Sequence, residues 1–295
     1  MNYRNLSSCL KEKYGERLGK ICIDAGFTCP NRDGRCGTGG CIFCTEGGSG
    51  EHILKMPTVR EQVKKEIEKG RFEKYIAYFQ SYTNTYAPLS ELREKYDEAT
   101  EDERVAVLAI GTRPDCIDED VAALIAAYKK RLDVWVELGL QTSSDNTARI
   151  INRGYETATF VDAVKLLSKY GIPVVAHMII GLPGEGEKEV YQTARLLGEL
   201  SVFGVKIHSL YVAKNTALEK MYKRGGYSPI GLDEYARLAA GVIARLPRDT
   251  VLHRITGDCP RDLLVAPTWN GDKNRVIKRI NEFLESAPQG SLYEG

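Results

Sequence analysis

The chain has almost no excess charge: 41 Lys and Arg face 40 Asp and Glu in 295 residues. The field of the whole molecule therefore predicts neither a nucleic-acid nor a membrane partner, and any phosphate contact must come from a local patch. No apolar run approaches the roughly 18 residues of a membrane span, and the N-terminus lacks the apolar core of a secretory signal. The eight cysteines are scattered, without the regular pairing of a disulfide framework. These absences predict a protein of the reducing cytoplasm with no membrane attachment. Internal repeats and low-complexity linkers are also missing. We expect one domain over residues 1–285, with short extensions at both ends, and a frayed polar tail over 286–295.

What the chain does contain is a regular alternation. Short apolar, β-branched runs occur at 21–24, 75–79, 105–110, 132–138, 173–180 and 204–211. Helical patterns occupy 58–69, 88–97, 117–130, 144–152, 157–169, 187–201, 216–223 and 231–245, with Thr58 and Asp118 standing where N-caps belong. Such alternation predicts parallel strands with crossover helices, and the near-continuous apolar strands predict a sheet buried on both faces. The expected fold is α/β, a partial (β/α)6 barrel resembling a TIM barrel, with a loop of special composition after the first strand. Polar residues appear where strands finish: Gln80, Thr112, Arg113, Gln141 and His208. Parallel α/β folds carry their sites at the carboxyl ends of the strands, so these residues should share one mouth with that loop.

The loop holds Cys29, Cys41 and Cys44 among Gly34, Gly37, Gly39 and Gly40. A zinc site or a fully ligated iron–sulfur cube takes four protein ligands; three leave a corner open for a second molecule. Glycines suit a loop that wraps closely around a bulky inorganic core. Spacing alone leaves three readings: an iron–sulfur cluster, a zinc ion completed by Cys36, Cys22 or His52, or reduced thiols without metal. Glu137 lies in an apolar strand and needs a partner if buried, either a charged cofactor group or an internal cation such as Arg153. Gly181, Pro183 and Gly184 would let backbone approach a flat ring closely, or simply turn the chain from strand to helix. Cys116 and Cys259 read as buried structural thiols, and Cys9, Cys22, Cys116 and Cys259 lack the mutual spacing of a second cluster.

Together, the three cysteines with Phe43 before Cys44, the AIGTRPD stretch at 109–115, ELGLQ at 137–141 with NRG at 152–154, and GLPG at 181–184 resemble radical S-adenosylmethionine (SAM) enzymes. The nearest branches of that superfamily are those of the elongator catalytic subunit and oxygen-independent coproporphyrinogen oxidase. Segments 26–34, 79–86, 206–208, 253–258 and 265–267 are similar to a bacterial family of single-domain radical SAM proteins, the likeness running over residues 3–283. One departure stands out: eleven residues separate Cys29 from Cys41, a longer gap than the superfamily's common one.

The resemblance implies that Cys29, Cys41 and Cys44 hold three irons of a [4Fe-4S] cluster, with Cys36 a non-ligand. The fourth iron would take the amino and carboxylate groups of SAM. One electron from the cluster would split the sulfonium S–C5′ bond, giving a 5′-deoxyadenosyl radical that removes a hydrogen atom from substrate. Matching positions put Gln80 and Ser81 near the methionine amino group, Glu137 at the ribose, Arg153 at the methionine carboxylate, and Gly181 with Leu182 in the adenine wall. His208, Tyr82, Tyr86 and Arg113 would face the substrate.

An electron donor such as flavodoxin or ferredoxin is also implied. Through the elongator branch so is tRNA, with 5-carboxymethylaminomethyluridine at the wobble position converted to 5-aminomethyluridine. Basic groups at Lys11, Lys13, Arg17 and Lys20, at Lys64, Lys65, Lys69, Arg71 and Lys74, and at Lys273, Arg275, Lys278 and Arg279 are either phosphate contacts or solvated helix faces. Two other readings stay open: decarboxylation of a porphyrinogen side chain, and a zinc-stabilised binding module without catalysis.

Overall fold

The computed structural model describes residues 3–48, 50, 53 and 56–286. His52 and the tail beyond Ser286 lie outside the described residues. A seven-stranded parallel sheet curls into a half-barrel. Its strands are β1 (Gly19–Ile23), β2 (Tyr75–Phe79), β3 (Val105–Thr112), β4 (Asp133–Gln141), β5 (Val174–Ile180) and β6 (Gly204–Ser209), and after a short β7 (Val212–Ala213) the chain returns to the sheet edge as β8 (Val251–Arg254). The last strand, β9 (Leu264–Ala266), pairs antiparallel with β7 in a separate ribbon. Helices are α1 (Leu6–Tyr14), α2 (Val59–Glu68), α3 (Leu89–Ala99), α4 (Glu119–Tyr128), α5 (Asp145–Ile150), α6 (Thr157–Lys169), α7 (Glu187–Glu199), α8 (Ala217–Lys223), α9 (Leu232–Arg245) and α10 (Lys273–Ser286). Among the described residues no helix is long and apolar enough to cross a membrane.

The expected caps form. Thr58 Oγ1 accepts from the Glu61 amide while Glu61 Oε2 accepts from the Thr58 amide, each at 3.1 Å, closing a capping box on α2. Asp118 Oδ1 accepts from the Val121 amide at the start of α4.

Alternation along each strand sends its residues to two different cores. Tyr75, Ala77 and Phe79 of β2 join the large apolar layer beneath the helices. Ile76 and Tyr78 face the other way, into a smaller concave cluster with Val107, Ala109, Trp135 and Val175. Leu10 of α1, with Leu6 and Tyr14, packs against that cluster and closes the amino end of the half-barrel. The interior is thus sealed below and open above.

Six strands were legible from the alternation, and the sheet has a seventh. The VLHR strand β8 is short and carries two polar residues, so it shows no apolar run. Helix α1 buries only Leu10 and carries a weak periodic signal, whereas α10, with Val276 and Ile280 buried on one face, carries a clear one that the reading of the sequence passed over. Strands β3 and β4 also run on to Thr112 and Gln141, so the polar strand ends belong to the sheet itself.

Candidate active site

One cavity opens at the carboxyl ends of the strands. Cys29, Cys41 and Cys44 line it from the loop after β1, and Gln80, Thr112, Arg113, Gln141 and His208 line it from the strand ends. The shared mouth expected from the sequence is therefore present.

Local hydrogen bonds hold the cysteine loop in shape. Gly39 and Gly40 adopt φ of 78° and 74°, conformations that a side chain would strain. The Gly40 amide donates to Asn31 O (2.8 Å), Asn31 Nδ2 donates to Asn152 O (2.6 Å), and Asn152 Nδ2 donates back to Gly40 O (2.7 Å). The Ile42 amide donates to Ile151 O, and the Arg32 guanidinium donates to Thr45 O and Cys44 O. A Cβ on Gly37 would stand 2.4 Å from Asn31 Oδ1, so that contact requires glycine.

No disulfide joins the cysteines among the described residues. Burial, and then the neighbouring Cys44 and Cys29, push the Cys41 thiol up to about 12. Three acids crowded this way want a cationic core between them, which would hold them as thiolates. Among the described residues no three His, Cys, Asp or Glu side chains converge closely enough to hold a single metal ion. Cys29, Cys41 and Cys44 line one opening, and thiolates are the soft donors that an iron–sulfur cluster takes. Cys36 is exposed, 3.7 Å from Asp115, and does not line the cavity. Cys22 packs against the lower concave cluster.

The other expected site residues divide. Tyr82 lines the cavity at φ 58°, its hydroxyl donating to Glu46 O and its ring beneath the Arg32 guanidinium. Arg113 lines it too, but its guanidinium is engaged by Asp115 at 2.7 and 2.9 Å and by Arg153 O at 3.0 Å. Ser81 is buried behind Gln80, its hydroxyl without a partner among the described residues, and Tyr86 lies outside under Arg35. Gly181 and Leu182 do not line the cavity. They sit in an apolar cluster with Ile151, Leu210 and Tyr227, against which Phe43 packs, and Tyr227 donates to Gly181 O at 2.9 Å.

Arg153 departs furthest from expectation. It is wholly buried, and its five N–H donors meet Tyr155 O, Leu140 O, Thr142 O, Asp145 Oδ1 and Thr157 Oγ1. Instead of facing a ligand, this guanidinium ties the end of β4 to the start of α6. An arginine just beyond a helix looks the same in sequence whether it points into a cavity or under it.

Glu137 lines the cavity and is also the anion of an internal network. Its carboxylate accepts from Trp135 Nε1 (3.1 Å) and His177 Nε2 (2.9 Å) and pairs with Lys206, whose ammonium also donates to the Tyr78 hydroxyl (3.1 Å). Burial opposes the Glu137 charge, but Lys206 and His177 outweigh it and hold the carboxylate well below its usual range. Burial pulls Lys206 down to about 8 against the pull of Glu137. Sequence reasoning missed Lys206 and Arg254 on this floor, whereas Gln141, expected at the mouth, is there in a left-handed conformation (φ 66°). Period-two alternation along β6 was the available signal for Lys206, since it puts Lys206 on the same face as His208.

Comparison with known proteins follows the same lines. Residues 32–197 match the model of the Radical SAM superfamily, and residues 202–286 match that of the Radical_SAM C-terminal domain. β6 and β8 fall in the second match yet continue the sheet of the first. YtqA of Bacillus subtilis (strain 168) is 40% identical over 99% of this chain and 93% of its own length. The tRNA uridine(34) acetyltransferase of Dehalococcoides mccartyi is 29% identical over 64% of this chain but 40% of its own. The structure of Elp3 from the archaeon Methanocaldococcus infernus superposes with a TM-score of 0.66 at 18% identity, over 90% of this chain and 63% of that one. The chain thus spans less than two thirds of the latter two relatives.

Proposed function

The chain belongs to the radical SAM superfamily, and from that premise we propose that it modifies the wobble uridine of tRNA, converting 5-carboxymethylaminomethyluridine to 5-aminomethyluridine. A [4Fe-4S] cluster and SAM are the superfamily's cofactors. Together they would supply one-electron cleavage of SAM and abstraction of a hydrogen atom, here from the glycine-derived methylene. Loss of a second electron back to the cluster would leave a C=N bond, which water would hydrolyse to the aminomethyl group and glyoxylate, SAM being the net oxidant. The three thiols of the cysteine loop suit the cluster, and Cys29, Cys41 and Cys44 are the residues that would hold it. Gln80 and Gln141, at the rim, offer amides to SAM. The sealed floor of the half-barrel keeps water from the reacting groups.

The observation that carries the substrate reading is the likeness of 64% of the chain to a protein named for uridine 34 of tRNA. A local cationic patch supports it. Helix α8 is tied to the cysteine loop by the Leu218 amide, which donates to Ile42 O at 2.8 Å, and Lys214, Lys220 and Arg224 are exposed beside it. The basic groups noted in the sequence are less available. Lys13, Lys64, Lys69, Lys273, Lys278 and Arg279 each pair with an acidic neighbour, as solvated helix faces do.

The test uses anaerobically reconstituted, reduced protein with SAM and total tRNA from a strain lacking the protein. Coupled appearance of 5′-deoxyadenosine and loss of the carboxymethylated wobble uridine is expected. Formation of 5′-deoxyadenosine with every nucleoside unchanged would refute the tRNA reading and leave the superfamily assignment standing.

A further inference from the structure

One row of polar side chains crosses the inner face of the sheet: Tyr78 on β2, Glu137 on β4, His177 on β5, Lys206 and His208 on β6, and Arg254 on β8, all lining the cavity. Lys206 and Arg254 are register partners, so they stand side by side. Within the row the charges are matched except at one end. Glu137 neutralises Lys206, and burial favours the neutral forms of His177 and His208. Arg254 has Asp258 at 3.4 Å, the edge of hydrogen-bond range, and that carboxylate is shared with Lys273 at 2.5 Å. Among the described residues, then, two cations share this one carboxylate. Beside it, His208 Nε2 is closed to solvent and has no hydrogen-bond partner among the described residues.

A half-buried guanidinium whose carboxylate neighbour is shared with a second cation matches a further carboxylate, whose two oxygens fit the guanidinium fork. We propose that Arg254, next to His208, receives a carboxylate of the substrate and makes it a condition of recognition. The proposal rests on the wobble-uridine reading: the carboxymethylaminomethyl group ends in a carboxylate and the aminomethyl product does not. Arg254 then favours substrate over product, and removal of the acidic fragment releases the RNA.

Binding without turnover tests it. Unreduced holoenzyme with SAM is titrated with two anticodon stem-loop RNAs that differ only in carrying 5-carboxymethylaminomethyluridine or 5-aminomethyluridine. Wild type is expected to bind the carboxylated RNA about ten- to a hundredfold more tightly, the range of one charge-assisted hydrogen bond. Arg254→Met should bind both RNAs at the weaker level, and Arg254→Lys should recover part of the difference, with iron content and SAM affinity unchanged in both. Equal binding of the two RNAs by wild type, discrimination that survives in Arg254→Met, or a loss confined to SAM affinity would each overturn the proposal. If wild type discriminates between the RNAs but, once reduced, leaves the carboxylated nucleoside intact, the modification reaction fails while carboxylate recognition by Arg254 stands.

Discussion

Lys206 and Glu137 reach across β5 to form an ion pair closed to solvent on the floor of the cavity, with the Tyr78 hydroxyl 3.1 Å from the same ammonium. The pair sits where a charge on its own would be very costly. Lys206→Met should therefore destabilise the protein by about 3–5 kcal/mol, because Glu137 is left buried and uncompensated. The double variant Glu137→Gln with Lys206→Met should recover much of that loss. Anaerobic urea unfolding compares the midpoints, and equal losses in single and double variants would show that the two residues are not each other's main partners.

His253 lies between Trp135 and Phe203, with both ring nitrogens buried and without hydrogen-bond partners among the described residues. Burial pulls it from 6.5 to about 3. Between those values the unfolded chain binds a proton that the folded chain refuses, so stability falls as pH drops from 6.5 toward 3, by up to about 1.4 kcal/mol per pH unit. His253→Phe should flatten that acid slope while leaving stability at pH 8 nearly unchanged or slightly raised. An unaltered slope in the unfolding midpoint against pH would assign the acid sensitivity to other groups.

Cluster retention separates the cysteines. Alanine at Cys29, Cys41 or Cys44 should abolish the visible thiolate-to-iron absorbance after anaerobic reconstitution, whereas Cys36→Ala should retain iron at the wild-type level. Equal loss in all four variants would contradict the reading of Cys36 as an outside residue.

Salt dependence probes the patch on α8. Reversing Lys220 and Arg224 to Glu should weaken tRNA binding roughly uniformly across sequences. The slope of log K against log salt should become shallower by about 1–2, as two phosphate contacts would require. An unchanged slope would move the RNA path elsewhere.

The sequence revealed the fold and the mouth of the site more fully than its interior. Strand alternation and polar strand ends are local signals, and Gln80, Arg113, Gln141 and His208 reach one cavity because parallel strands all end on the same side. Arg153, Gly181 and Leu182 depended instead on which way a side chain or turn faces in three dimensions. The carbonyls that claim the Arg153 guanidinium lie at Leu140, Thr142 and Tyr155, and nothing in a one-dimensional pattern reserves them for it. The partnership of Glu137 with Lys206 needed β4 and β6 to lie one strand apart, and Arg254 needed the strand that was too short to see.

Deuterium transfer tests the central claim most directly. Total tRNA carrying glycine-derived deuterium in the methylene of its carboxymethylaminomethyl groups is incubated with the reduced holoenzyme and SAM, and the 5′-deoxyadenosine is weighed by mass spectrometry. The account predicts 5′-deoxyadenosine heavier by one deuterium, in step with the appearance of 5-aminomethyluridine. Unlabelled 5′-deoxyadenosine alongside intact modified uridine would contradict it.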